Sequence, residues 1–138
     1  MPEQCRIRGN EISEILRKEK ISEIDIVVPA VHQEAAMALA EGLSLGSYQF
    51  GKYQSANENK QWMLRNINFI GAKVSKSSVD LLTAMVESVF MARDLVNEPV
   101  SHLNAVKLAK SFESMGKLSG FSTTIFHKDK IEALKMGE

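Results

Sequence analysis

The sequence predicts an α/β fold: a partial parallel sheet with flanking helices, and a long connector helix at a domain junction. Three observations carry this expectation. Two short apolar runs, Ile24-Asp25-Ile26-Val27-Val28 and Ile67-Asn68-Phe69-Ile70-Gly71, read as strands, with helical spacing between them. Strands separated by helices need crossover connections, which make neighbouring strands parallel. The longest helical pattern, about residues 78–97, carries two apolar stripes where a surface helix needs only one.

Each element has a local reason. Asn10 is placed to cap a short helix whose apolar face is Ile12, Ile15 and Leu16. The run from Ile24 then reads as a buried strand closed by Pro29. A longer helix is expected from about Val31, with Ala35, Ala36, Leu39, Ala40 and Leu43 on one side; so many alanines imply a close neighbour. Residues 51–65 are polar and punctuated by Gly51, Asn57 and Asn59, which predicts a surface loop pinned at its far end by Trp62. The second strand follows at Ile67.

Ser77 with Asp80 three residues later has the spacing of a capping box and opens the longest helix. Val79, Leu82, Val86, Val89 and Phe90 form one stripe of it, and Leu81, Met85, Ala92 and Val96 an adjacent one. A helix so patterned is expected to be covered on two sides, as a connector between two packed bodies would be. Pro99 stops it. Asn104 caps the next helix, with Val106, Leu108, Ala109, Phe112 and Met115 inward and Gly116 and Gly120 at its end. Residues 121–126 are β-rich. Asp129 with Glu132 repeats the capping pattern before a last short helix with Ile131 and Leu134 inward. The chain stops at Met136-Gly137-Glu138, where that helix is expected to turn into another strand, so the ending reads as a cut within a larger body.

Composition narrows the function. The 138 residues are 44% hydrophobic and 25% charged, which fits a globular protein and excludes disorder. Seventeen basic residues balance seventeen acidic ones and both halves are close to neutral, so neither nucleic acid nor an anionic membrane is an expected partner. Cys5 is the single cysteine, which excludes an internal disulfide and a metal site of several thiolates. The N-terminus, Met1-Pro2-Glu3-Gln4-Cys5-Arg6, lacks the pattern of a secretory signal, and a cytoplasmic location is expected.

Candidate sites are few. Gly46-Ser47-Tyr48-Gln49-Phe50-Gly51-Lys52 fits the first seven positions of a phosphate-binding loop, Gly-x4-Gly-Lys. Tyr53 then stands where magnesium coordination needs a small hydroxyl, and the segment follows a helix where the motif should follow a strand. It is a decoy. His32, His102 and His127 sit on separate elements without the local partner that helical zinc sites use. Asp94 and Glu98 share a helix face and could bind a divalent cation, but Arg93 and helix-end contacts explain them more simply. The residues read alone give no catalytic, cofactor-binding or metal-binding site.

The segment Ala92-Arg93-Asp94-Leu95-Val96-Asn97-Glu98-Pro99 closely resembles the junction motif of the leucyl (cytosol) aminopeptidase family, where it ends the helix joining two domains. Ala40-Glu41-Gly42-Leu43-Ser44-Leu45-Gly46-Ser47-Tyr48-Gln49-Phe50-Gly51-Lys52-Tyr53 resembles the family's glycine-containing helix with its spaced aromatics. Lys130-Ile131-Glu132-Ala133-Leu134-Lys135-Met136-Gly137 resembles the segment shortly before the catalytic core. The resemblance covers about residues 30–138, and residues 1–29 match only loosely. Val100-Ser101 and Asn104-Ala105 depart from the Pro-Asn and Thr-Pro that the family commonly carries there.

The resemblance implies residues 1–76 as the C-terminal part of an N-terminal, macro-like domain, 77–99 as the connector helix, and 100–138 as the truncated start of a catalytic domain. It implies a parent exopeptidase that releases N-terminal residues, often leucine, from peptides, using two divalent ions, zinc or manganese. The family's ligand motifs, a glycine-flanked Lys segment followed by Asp and an Asn-Thr-Asp-Ala-Glu-Gly-Arg-like segment, are absent here. No catalytic residue is therefore carried over, no cofactor is expected in this chain, and the chain alone is expected to be inactive. A homo-oligomer, a dimer or swapped assembly, is expected, because a cut inside two α/β bodies leaves sheet edges and apolar surface uncovered; the hexamer contacts of the intact family rely partly on the missing region. The competing expectation is a non-catalytic binding or oligomerisation module, since the N-terminal domain resembles the ADP-ribose-binding macro fold. That reading wants a glycine-rich phosphate loop, which the sequence lacks.

Overall fold

The computed structural model describes residues 1–53, 62–71 and 73–136. Its elements are α1 (Pro2–Lys18), β1 (Glu23–Val27), a 3-10 turn (Ala30–His32), α2 (Gln33–Gly46), β2 (Asn66–Ile70), α3 (Lys76–Asn97), α4 (Ala105–Ser119) and α5 (Lys128–Ala133). They fall into two compact units, Met1–Asp94 and Leu95–Glu138.

The first unit is organised by the crossing of α1 and α2. The short helix expected from Asn10 is longer: it begins at Pro2, whose fixed φ suits a first helical turn, and Asn10 lies in its middle. Gly9, in the interior of this helix, is kept for contact. A Cβ there would run into the Leu39 carbonyl oxygen and stand 2.7 Å from the Leu43 nitrogen. From the other side, a Cβ on Gly42 would meet the Arg6 carbonyl, and one on Gly46 would meet Ser13 Oγ. Gly9 and Ser13 are four apart, as are Gly42 and Gly46, so each pair lies on one helix face. The two backbones meet with almost no side chain between them. Beside this seam Arg6 Nε donates to Glu41 Oε2 at 2.8 Å. That hydrogen bond, with the negative charge behind it, raises the Arg6 pKa above its ordinary value.

The other side of α2 builds the core. Ala36, Ala40 and Leu43 are buried with Leu16 of α1 and Ile26 of β1, and Ile24, Ile67, Phe69, Trp62 and Leu82 pack around them. The alanine-rich face expected of this helix is thus explained on both sides, with Ala38 also buried. β1 and β2 pair in parallel, from Glu23 opposite Asn66 to Val27 opposite Ile70. Only one face of this sheet is covered, so the fully buried strand expected at 24–28 is half right: Ile26 is buried while Val27 is 71% exposed. On the outer face Asn66 donates to Glu23 at 2.9 Å and Asn68 to Asp25 at 2.8 Å. Trp62 does pin its loop end, donating from Nε1 to the Ile21 carbonyl at 2.7 Å. Residues 54–61 of the expected surface loop lie outside the described residues.

With 22 residues, α3 is the longest helix described. Its first turn is capped by Ser75, whose Oγ accepts from the Ser78 nitrogen at 3.1 Å, so the Ser77–Asp80 pattern is not the cap. The stripe of Val79, Leu82, Val86, Val89 and Phe90 is half-buried. The second stripe is exposed, Leu81 at 73% among it, and no residue of α3 is fully buried. Coverage on two sides, expected from the pattern, is not found among the described residues.

In the second unit Asn104 caps α4, its Oδ1 accepting from the Lys107 nitrogen at 3.0 Å, and Gly120 ends it in the left-handed region at φ 78°. Gly116 lies inside the helix, where a Cβ would press on Thr123 and the Phe121 carbonyl. Residues 121–126 form no strand, since β structure requires a paired ladder. α5 has His127 at its cap position and Asp129 in the first turn, so the Asp129–Glu132 pattern is not the cap. Val106, Phe112, Ile131 and Leu134, expected inward, are exposed. Gly116 is the one buried residue among those described in this unit.

Candidate functional site

The C-terminal end of α2 gathers the polar contacts that tie the first unit together. A helix end leaves carbonyls without intrahelical partners and carries partial negative charge. Here Ser47 takes part of that load, its nitrogen donating to Leu43 and Ser44 and its hydroxyl to Ser44 at 2.7 Å. Two guanidinium groups take the rest. Arg17, from the last turn of α1, donates to the Gly46 carbonyl at 2.7 Å, and Arg93 of α3 donates to the Leu45 carbonyl at 2.8 Å. Positive charge at this end of a helix is favourable, so the two arginines fasten α1 and α3 to α2.

Tyr48, two residues past α2, completes the constellation. Its ring lies 5.2 Å from the Phe90 ring, tilted by 55°, and 5.3 Å from the Arg93 guanidinium. Its hydroxyl donates to Asp94 Oδ1 at 2.7 Å. Stacking and cation–π contacts of this kind hold a ring without demanding burial. These contacts grip the Tyr48 ring and hydroxyl between the end of α2 and the side chains of α3.

The other candidates remain apart. Gly46 closes α2 and its carbonyl is taken by Arg17, so residues 46–52 trail a helix and do not form a phosphate cradle. Lys52 sits over the Tyr53 ring at 5.9 Å. His32 belongs to the 3-10 turn, His102 to the turn after Pro99 and His127 to the start of α5, and all three are exposed. Asp94 turns to Tyr48. Among the described residues no three of His, Cys, Asp and Glu are grouped to hold a metal ion. No described helix is long and apolar enough to cross a membrane.

Sequence reasoning missed Arg17 and Tyr48. Arg17 carried no signal beyond a basic residue in a last helical turn, and Tyr48 was absorbed in the phosphate-loop decoy. Arg93, expected to account for Asp94 and Glu98, instead donates to the Leu45 carbonyl at the end of α2.

Comparison with known proteins agrees with this architecture. The model for the cytosol aminopeptidase family, N-terminal domain, matches residues 1–57, including the first 29 that resembled the family only loosely. A probable cytosol aminopeptidase of Clostridium perfringens is 33% identical over 132 residues, covering 92% of this chain and 27% of the relative. One from Treponema denticola is 31% identical over 130 residues, covering 90% and 27%. The chain thus spans about a quarter of the length of these relatives. A solved structure of a tomato leucine aminopeptidase mutant superposes with a TM-score of 0.81 at 20% identity, covering 96% of this chain and 28% of that one; at this identity the likeness concerns the fold. By family match, related sequences and fold together, the chain belongs to the cytosol aminopeptidase family.

Proposed function

We propose that this chain supplies the N-terminal body and connector helix of a metal-dependent leucyl aminopeptidase, a cytoplasmic exopeptidase acting on peptides, and that it has no activity by itself. In this reading residues 1–76 are the end of the N-terminal domain, 77–99 the connector, and 100–138 the opening of the catalytic domain. The observation that carries it is physical contact between two stretches that separately resemble the family. Arg93 and Asp94 of the junction motif close on Leu45 and Tyr48 of the glycine-containing stretch. Two divalent ions, zinc or manganese, belong to the intact enzyme, where they would activate water and polarise the peptide carbonyl.

The test is hydrolysis of a leucine anilide. The chain should give none with zinc, manganese or magnesium, and no metal should raise its melting temperature. Turnover that scales with the chain and disappears with chelator would overturn the proposal of inactivity. Joined to the catalytic domain of a relative, the same residues should give an active enzyme. A folded but inactive chimera would overturn the aminopeptidase reading.

We also propose self-association. The two-stranded sheet leaves an unpaired edge on each strand, and Leu81, Met85 and Val96 of α3 are exposed. Open edges and apolar surface are features by which chains join.

A further inference from the structure

Asp94 stands where a helix should not want it. α3 ends at Asn97 and has no basic residue in its last turn, so this carboxylate adds negative charge to the negative end of the helix dipole. Nor does burial hold this end of the helix, because no residue of α3 is fully buried. What Asp94 has is the Tyr48 hydroxyl at 2.7 Å. Within one turn before it, Arg93 crosses to the Leu45 carbonyl and Phe90 rests against the same tyrosine ring. Three side chains from the end of α3 therefore converge on one residue beyond α2.

We infer that Tyr48, Arg93 and Asp94 form a latch that fixes the last turns of α3, and that in the proposed aminopeptidase they are positioning residues. This rests on the functional reading above. Their route to the reaction is mechanical: α3 is the connector of the proposed enzyme, and the latch keeps its last turns helical. Helix ends fray readily, with opening costs well below that of the whole fold. A hydrogen bond to a charged acceptor together with a cation–π contact is sufficient to suppress this locally.

Two measurements test the latch, the first on the chain itself. Amide hydrogen exchange over residues 91–97 should quicken roughly five-fold in Tyr48→Phe, which keeps the ring and loses the hydroxyl, and more in Tyr48→Ala. Asp94→Asn, which keeps an acceptor, should retain most of the protection that Asp94→Ala loses. Protection in α1 and α2 should stay as in the wild type. Unchanged exchange at 91–97 in both tyrosine variants overturns the latch, and so does an equal loss of protection throughout α1 and α2, which would make Tyr48 a general support of the fold. The second measurement uses the active chimera. Tyr48→Ala should lower kcat by about ten-fold while KM stays within about two-fold, because misplacement costs rate without removing a substrate contact. Unchanged kcat in Tyr48→Ala overturns the positioning role. If the unmodified chimera is inactive, the functional reading falls and the positioning role with it, and exchange still decides whether the latch exists.

Discussion

Gly42→Ala is the most direct test of how this fold is held. In a helix interior the change is normally favourable, by up to about 1 kcal/mol of propensity. Here the new methyl would overlap the Arg6 carbonyl oxygen and lie 2.7 Å from its carbon, where ordinary contact begins at 3.4 Å. These are backbone atoms in the middle of α1, so no side chain can swing aside. Relief requires α1 and α2 to separate by more than half an ångström at this point. That motion also loosens the contacts at Gly9 and Gly46, strains the 2.7 Å bond from Arg17 to Gly46, and opens the ion pair of Arg6 with Glu41. Overpacking costs about 1–3 kcal/mol and at times more. With three close approaches in one seam the upper end applies, leaving about 2 kcal/mol of net destabilisation after the propensity gain. For a unit of this size that is a fall in Tm of roughly 10 °C. Thermal unfolding followed by circular dichroism and by the fluorescence of Trp62, the single tryptophan, reads it directly. Glu34→Ala, exposed on the same helix, serves as the control and should stay within about 0.5 kcal/mol. A Gly42→Ala variant that melts at or above the wild type would refute the backbone-contact argument.

Three further outcomes follow from the structure. Val89→Asp, on the half-buried stripe of α3, should destabilise by about 2 kcal/mol in urea unfolding, whereas Leu81→Asp on the exposed stripe should stay within about 0.5 kcal/mol; equal effects would mean both stripes are covered. Asn104→Ala removes the cap of α4 and should cost about 1 kcal/mol in the second unit while the Trp62-reported transition does not move. Light scattering at high concentration should report a mass above that of one chain, and a clean monomer would refute self-association.

What could be read in the sequence was what depends on local pattern. The two strands, their parallel pairing, the alanine face of α2 and the Asn104 cap all rest on spacing or on a single side chain. The beginning of α1 was misplaced because Asn10 suits a cap but lies inside a helix that starts at Pro2, and that of α3 because a capping-box spacing does not reveal which nearby serine caps: Ser75, not Ser77, meets the Ser78 nitrogen. Nothing in the sequence marks Gly9 as a contact, and only the approach of Leu39 explains it. The second stripe of α3 and the inward faces assigned to α4 and α5 record what apolar residues prefer, which differs from what this chain itself provides to cover them. The site was the least legible part. Arg17, Tyr48 and Arg93 gather at the end of α2, where α1 crosses it and side chains of α3 reach it, and no periodicity encodes such a meeting.

The α1–α2 seam also orders events in time. Among the described residues every buried hydrophobic side chain lies between Leu16 and Leu43, and the glycines that let the helices touch end at Gly46. During synthesis the helix pair and the first strand are therefore present once Gly46 has been made, before β2 and α3. β2 arrives later, its Asn66 following its partner Glu23 by 43 residues, and it meets an assembled surface. The latch closes last in this unit, since Arg93 and Asp94 are the last of its residues to be translated. A nascent chain halted before residue 90 would carry the helical seam complete and Tyr48 still unclasped.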